Sequence, residues 1–251
     1  MKKYSLFFFA IIVLMACNKK PEAGNFTLNL SHEVDGERLA LDNMRYSSPA
    51  GHTYEITKLW YYLSDIRLIE TDGTIQNAAE GFLVKAEDTN TQSISLNDVA
   101  AGNYNKIQFQ FGISKANNVE DYLVATVDNQ SMFWPEQMEA EGEKGDYHYM
   151  KLEGNYDSLK TGKLNPYIIH SGPTNGVDNS FIIEFPLEEF EINNNSAELN
   201  IKVNLKEWLQ NPTVYDFKDW KMVMMNQNAQ NIYKANAQSV FSAGQLTISE
   251  E

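Results

Sequence analysis

The fold class is decided by residues 53–70, which read Thr53-Tyr54-Glu55-Ile56-Thr57-Lys58-Leu59-Trp60-Tyr61-Tyr62-Leu63-Ser64-Asp65-Ile66-Arg67-Leu68-Ile69-Glu70. β-Branched and aromatic residues dominate this run, and such residues favour the pleated, half-buried surface of a strand. Asp72-Gly73 follows closely and is typical of a hairpin turn. The run therefore predicts β-structure that ends in a hairpin.

Similar patterns recur along the rest of the chain. Short segments with alternating or continuous apolar residues lie between turns rich in Gly, Asn, Asp and Pro, which is typical of short strands. The predicted strands beyond the first run cover residues 26–32, 81–85, 94–96, 104–112, 180–185 and 197–205. Such a succession predicts one all-β domain, a sandwich or a barrel, over residues 25–251.

Three segments have a helical pattern instead. Residues 117–127 have room for one or two helical turns, and residues 205–210 predict a short helix that stops before Asn211-Pro212. The longest predicted helix covers residues 219–237, with Met222, Met225 and Tyr233 near one face.

The N-terminus has the pattern of a bacterial lipoprotein leader. Lys2 and Lys3 precede an apolar run at residues 6–15, which is too short for a stable membrane anchor but fits a signal peptide. Leu14-Met15-Ala16-Cys17 is similar to a lipobox. We expect a signal peptide at residues 1–16, lipidation of Cys17 and a polar tether at residues 17–24. The expected location is the outer membrane, on its periplasmic face or at the cell surface.

Composition narrows the function further. Removal of residues 1–16 leaves 235 residues and shifts the formal net charge from −14 to −16, so the chain should repel nucleic acid. Cys17 is the single cysteine, which leaves no thiol for disulfides, zinc clusters or nucleophilic catalysis. Dinucleotide-binding, P-loop, zincin and nucleophile-elbow motifs are absent from the sequence. We therefore expect a protein that is not an enzyme.

Residues 132–172 concentrate the candidate metal ligands. This stretch of 41 residues contains His148 and His170, Trp134, and three of the nine methionines. Imidazole with optional thioether and no thiolate suits copper better than structural zinc. Core or turn hydrogen bonding is the alternative for each histidine, and core filling is the alternative for Met132, Met138 and Met150. The carboxylates Glu136, Glu139, Glu141, Glu143 and Asp146 form either a solvated loop or a cation-attracting funnel.

The order of several short motifs resembles the MbnP-like family of copper-binding proteins. The motifs, which together span most of the mature chain, are Gly51-x-x-Tyr54, Leu59-x-Tyr61-Tyr62-Leu63-Ser64-Asp65-Ile66-x-Leu68, Ala101-Gly102-x-Tyr104-x-x-Ile107-x-Phe109, Phe111-Gly112-Ile113, Asn117-Asn118, Met132-x-Trp134, Lys151-Leu152-Glu153-Gly154 and His170-x-Gly172. The resemblance implies a β-sandwich with about eight or more short antiparallel strands, long loops and a short C-terminal helix.

The resemblance also implies a site. It implies one copper ion, bound by two histidines and by a tryptophan that a di-haem peroxidase of the MauG type oxidises to kynurenine. Carried over, Trp134 and His170 fall in the family segments, and His32 in the first strand is a candidate for the second imidazole. His148 is the alternative, although its position is not typically histidine in the family. Glu136 stands where many members have a second tryptophan.

Two hypotheses of different classes follow. In the first, the chain is a copper-binding lipoprotein, with Glu153 or Asp146 accepting the second ring N–H of a ligand histidine. In the second, it is an adhesion or carbohydrate-binding lipoprotein that uses exposed aromatic rings as stacking platforms. The rings considered for that role are Trp60, Tyr61, Tyr62 and Trp134. Exposure of these rings distinguishes the two hypotheses.

Overall fold

Thirteen strands in two β-sheets make up most of this computed structural model, which describes residues 21–77, 81–119, 121–134, 147–174 and 176–250. In chain order the strands are β1 (Gly24–Val34), β2 (Glu37–Arg38), β3 (Tyr46–Ser47), β4 (Thr53–Glu70), β5 (Ile75–Asn77), β6 (Gly81–Lys85), β7 (Ser93–Val99), β8 (Gly102–Phe111), β9 (Met150–Asp157), β10 (Leu164–Ser171), β11 (Phe181–Ile192), β12 (Asn195–Asn204) and β13 (Phe241–Glu250). The predicted all-β sandwich is confirmed.

The smaller sheet has five strands, in the order β13-β12-β1-β2, with β7 also paired to β1. β1 and β12 run parallel, from Asn25 opposite Ser196 to Glu33 opposite Asn204. The parallel pairing of β1 and β12 differs from the antiparallel strands that the family resemblance implies. The two strands lie far apart in the chain, and the long connection that a parallel pair requires is therefore available.

The larger sheet has eight strands and is built on β4, the 18-residue strand of residues 53–70. β8 and β9 meet at Tyr62, whose N–H donates to the Tyr149 carbonyl (3.0 Å) and whose carbonyl accepts from the Gly112 N–H (2.9 Å). The chain thus leaves the sheet at Gly112 and returns to it beside the same residue. We call the described residues between these two points, 112–119, 121–134 and 147–149, the outer connection.

Each face of the larger sheet has its own apolar cluster. The inner face packs against the smaller sheet; Tyr61 of β4, for example, contacts Phe241 of β13 with ring centroids 6.3 Å apart. The outer face is covered in part by the outer connection. The second cluster consists of Tyr62, Ile113, Leu123, Met132, Tyr147 and Tyr149. These apolar side chains therefore shield the outer face of the larger sheet around Tyr62 from water.

The helices are shorter than predicted. They are α1 (Val127–Ser131) and α2 (Gln227–Asn236), with 3-10 turns at Thr89–Gln92, Ser158–Lys160, Leu205–Leu209 and Ala237–Ser239. The helix predicted at residues 219–237 begins only at Gln227, because Asn226 caps it by accepting from the Ala229 N–H (3.1 Å). The helical turns predicted at 117–127 are displaced to α1, which Thr126 caps in the same way.

The predicted leader and Cys17 lie outside the described residues. β1 begins at Gly24, the last residue of the predicted tether, and the Glu22 carbonyl accepts from the Asn194 N–H (3.0 Å). Within the described ranges, none of the helices has the length and apolar character needed to cross a membrane.

Candidate metal centre

Three rings meet on the outer face of the larger sheet, beside the outer connection. The centroid of the His148 ring lies 4.6 Å from that of Trp134 and 4.9 Å from that of His170. The two imidazole planes are nearly perpendicular, at 87°. Trp134 and His148 are each 2% exposed, and the His170 side chain is 12% exposed. The rings therefore form one buried cluster, of which His170 is the most exposed member.

Strand pairing explains this convergence. Phe133 and Tyr147 form an antiparallel bridge that places Trp134 beside His148. The Tyr149 N–H donates to the Ser171 carbonyl (2.7 Å), which brings the start of β9 next to the end of β10. On β10, residues 167, 169 and 171 are buried towards the core while His170 points to the outer face. Trp134, His148 and His170 are thus brought together although they lie on different segments of the chain.

The hydrogen bonds of His148 fix its tautomer. Its Nδ1 lies 2.9 Å from the Met132 carbonyl oxygen, and a carbonyl only accepts, so Nδ1 carries the proton. Nε2 is buried and has no hydrogen-bond partner among the residues that the structure describes. In the neutral ring this second nitrogen presents its lone pair to the cluster.

His170 has the opposite tautomer for the same reason. Its Nε2 lies 2.8 Å from the Glu153 carboxylate, so Nε2 donates. The buried Nδ1, which has no partner in the described part of the chain, presents its lone pair. Glu153 is one of the two acceptors that the sequence predicts for this role. A carboxylate behind an imidazole orients the ring and raises its basicity, as in carboxylate–histidine–metal arrangements.

The electrostatic environment keeps both rings neutral. Burial, together with the charges of Lys151 and His170, holds the pKa of His148 well below its usual value. Burial also lowers the pKa of His170, although its hydrogen bond to Glu153 acts in the opposite direction. The hydrogen bond to His170 in turn lowers the pKa of Glu153. At neutral pH, therefore, both imidazoles are neutral, and the Glu153 carboxylate that orients His170 is negatively charged.

Trp134 packs on a glycine. A Cβ atom on Gly172 would lie 2.6 Å from Cε3 of the indole and even closer to Cζ3, so only glycine fits beneath this ring. The indole Nε1–H is buried and, like the two imidazole nitrogens, has no partner among the described residues. An unmade hydrogen bond at a buried donor costs about 1–3 kcal/mol, so three such nitrogens at one place are unusual for a purely structural cluster.

The arrangement fits a metal ion with few protein ligands. A metal–imidazole bond is about 2 Å long, so two nitrogens that share an ion lie at most about 4 Å apart. Perpendicular rings with centroids 4.9 Å apart are compatible with that separation. In the part of the chain that the structure describes, no group of three or more His, Cys, Asp or Glu side chains is placed to hold a metal. The nitrogens that could bind a metal ion at this site are His148 Nε2 and His170 Nδ1.

The other two histidines lie elsewhere. His32, the expected second imidazole, is on β1 of the smaller sheet, and its Nε2 lies 2.9 Å from the Tyr61 hydroxyl, on the inner face of the larger sheet. The structure therefore brings His148, and not His32, to His170. His52 is buried, and its Nε2 lies 2.9 Å from the Asp216 carboxylate.

Two of the methionines considered as soft donors are core residues. Met132 and Met150 are fully buried, and the Met150 sulfur accepts from the Tyr233 hydroxyl at 3.1 Å. Both therefore fill the core, as in the alternative weighed for them. Met138 and the five carboxylates of the predicted acidic loop lie outside the described residues.

The aromatic platforms expected of a carbohydrate-binding protein are not at the surface. Tyr61 and Tyr62 are fully buried and Trp134 is 2% exposed. β4 is covered on both faces at residues 61–64, by the smaller sheet on one side and the outer connection on the other. Trp60 alone is half-buried, with Lys58 Nζ 4.6 Å from its centroid. The stacking hypothesis is wrong for three of its four rings.

Comparisons with known proteins agree with this fold. The sequence profile of the MbnP family matches residues 23–231. The solved structure of MbnP from Methylosinus trichosporium matches 89% of this chain and 99% of its own, with 13% identity and a TM-score of 0.52. A putative cell adhesion protein from Bacteroides eggerthii matches 93% of this chain and 97% of its own, with 7% identity and a TM-score of 0.24. No curated protein matches the chain.

Proposed function

The chain belongs to the MbnP family, and on that premise we propose that it is a cell-envelope lipoprotein that binds one copper ion through His148 and His170. The observation that carries the proposal is the pair of buried imidazole nitrogens on adjacent rings that have no partner among the described residues. Both histidines and Trp134 lie inside the matched region.

The donor set favours copper over zinc. Zinc in structural sites takes four ligands, usually including cysteine, and the single cysteine here is the proposed lipidation site. Two imidazoles with room for one further donor suit copper. Because both rings are held neutral by burial, copper need not displace a proton from either nitrogen at neutral pH.

Trp134 would supply the third donor after oxidation. The indole N–H has no lone pair to offer a metal. In kynurenine, opening of the indole ring adds two oxygen atoms, and hydrolytic loss of the formyl group as formate leaves a free amine and a ketone. The oxidant would be peroxide, delivered through a di-haem peroxidase of the MauG type. The new amine would form at the unpartnered nitrogen next to His148.

The proposed role is copper acquisition or handling, without catalysis by the chain itself. Lipidation of Cys17 would hold the protein at the outer membrane, on the periplasmic face or at the cell surface. Its strongly acidic character would favour the approach of cations over that of nucleic acid.

Intact mass and metal content of protein from its native host test the proposal. One copper per chain, with a net gain of one oxygen and loss of one carbon at Trp134, is the expected result. Copper without the mass change would retain the binding role and remove the peroxidase partner. Failure to bind copper after reconstitution with Cu(I) and with Cu(II) would overturn the proposal.

A further inference from the structure

A group of solvent-facing methionines lies beside β10, outside the histidine cluster. Met222, Met224 and Met225 line one cavity of about 230 Å³ together with Ile168 and Asn226. Met222 is 69% exposed and Met225 is 49% exposed. We call these three residues the methionine cluster. By contrast, Met132 and Met150 are fully buried, so the accessible thioethers of the described chain are concentrated here.

The backbone holds this cluster in place. The Ile168 N–H donates to the Lys221 carbonyl (2.8 Å), and the Ile168 carbonyl accepts from the Val223 N–H (3.3 Å). The Thr174 hydroxyl donates to the Met224 carbonyl (2.9 Å). Val223, between the methionines, is completely buried. Residues 221–226 are thus held in place by buried Val223 and by main-chain hydrogen bonds, while the side chains of the neighbouring methionines line the cavity.

Core packing does not explain the methionines. A buried methionine stabilises the fold because its surface is removed from water, and residues as exposed as Met222 and Met225 contribute little in this way. Apolar residues scattered singly on a surface are ordinary, but several around one cavity mark a binding site. The Asn226 side-chain oxygen already accepts from the Ala229 N–H. The donors left facing the cavity are the thioethers.

We propose that the methionine cluster is a second metal site, one that binds a soft monovalent cation such as Cu(I) through thioether sulfur. Thioethers are neutral, polarizable donors that select Cu(I) over harder ions such as Zn²⁺ or Mg²⁺. The acidic chain lowers the electrostatic cost of bringing a cation to neutral ligands.

The cluster lies close to the histidine centre. Met222 bridges Ile168 in parallel, so the segment runs in the direction of β10, towards His170. From strand spacings, the Met222 backbone lies within about 10 Å of the His170 backbone. The Gln230 side chain donates to the His170 carbonyl (3.0 Å), which ties α2 to the same strand. A role as an entry point for the histidine centre would rest on the function proposed above; the methionine site itself does not.

Titration with Ag(I), a redox-inert soft cation, tests the site in the purified protein. Native mass spectrometry gives the stoichiometry, and NMR of ¹³C-methyl methionine shows which thioethers respond. We expect shifts at Met222, Met224 and Met225 and none at Met132 or Met150. The M222L/M224L/M225L variant, which keeps the apolar volume but removes sulfur, should lose one Ag(I) and about tenfold or more in affinity.

Two controls separate this site from the histidine centre. Met44→Leu removes a half-buried thioether elsewhere and should leave Ag(I) binding unchanged. The His148→Ala/His170→Ala variant should retain the methyl shifts of the methionine cluster even where it no longer binds copper at the histidines. Unchanged Ag(I) stoichiometry and affinity in the triple leucine variant would overturn the proposal, whatever the histidine variant does.

Discussion

The six-membered ring of Trp134 packs on Gly172 in the space that a side chain would occupy. This contact gives a physical reason for the glycine of the His170-x-Gly172 motif, because the strand that carries the histidine must also let the indole approach. Similar contacts involve Gly112, where a Cβ would lie 2.5 Å from Tyr149 Cγ, and Gly154, where a Cβ would lie 2.6 Å from the Tyr167 hydroxyl. Three glycines of the motifs thus serve close packing around β9 and β10.

Gly172→Ala should therefore displace Trp134. We expect a loss of about 1–3 kcal/mol in the free energy of unfolding, the usual cost of overpacking, and a change in tryptophan fluorescence. Urea denaturation of the variant measures the first effect. Gly102→Ala is the matched control, since a methyl group there meets the flexible Glu70 carboxylate. Equal stability of wild type and Gly172→Ala would contradict the packing described.

Glu153→Ala should weaken copper binding without removing a ligand. The carboxylate holds the proton of His170 on Nε2, and loss of such an orienting group costs about 10–100-fold in metal affinity. Glu153→Gln, which keeps a carbonyl acceptor, should lose less. Competition against a copper chelator gives the affinities. Glu184→Ala, which removes a surface ion pair with Lys106, should bind copper as wild type does.

His32 should make the protein sensitive to acid. Burial lowers its pKa to about 4, with a hydrogen bond to Gln92 opposing the shift, whereas an unfolded histidine titrates near 6.5. Between these values the unfolded state binds more protons, so stability falls as the pH decreases from about 6.5 towards 4, by up to roughly 3 kcal/mol. Urea denaturation at several pH values should show a shallower decrease for His32→Gln. Parallel pH profiles would contradict this assignment.

Cys17→Ser should release the protein from the membrane. Without the thiol no lipid can be attached, and the mature chain would move from the membrane fraction to the soluble fraction of the cell envelope. Fractionation followed by mass analysis of the N-terminus checks this. Membrane association of the Cys17→Ser variant would contradict lipid anchoring as its cause.

Much of the fold follows from local pattern. Residues 53–70 predict a strand because β-branched and aromatic residues dominate, and β4 covers the same residues. The C-terminal helix was harder to delimit: Met222 and Met225 fit a helical face, but residues before the Asn226 cap bond to β10 instead. That bonding depends on tertiary contacts that periodicity does not contain.

The site follows less directly from the sequence. Residue type alone makes Trp134, His148 and His170 candidates, and the family motifs include Trp134 and His170. The hydrogen bond from the Tyr149 N–H to the Ser171 carbonyl, a tertiary contact, is what brings His148 next to His170. The family motifs suggested His32 instead, but alternation along β1 directs that side chain to Tyr61, on the other side of the larger sheet.

Cu(I) affinity of single histidine variants tests the central claim most directly. Competition titrations would compare wild type with His148→Ala, His170→Ala and, as the control with an equally buried ring, His32→Gln. We predict that each alanine variant loses about tenfold or more in affinity while His32→Gln binds as wild type does. Wild-type affinity in both alanine variants, or a loss confined to His32→Gln, would contradict the assignment of copper to His148 and His170.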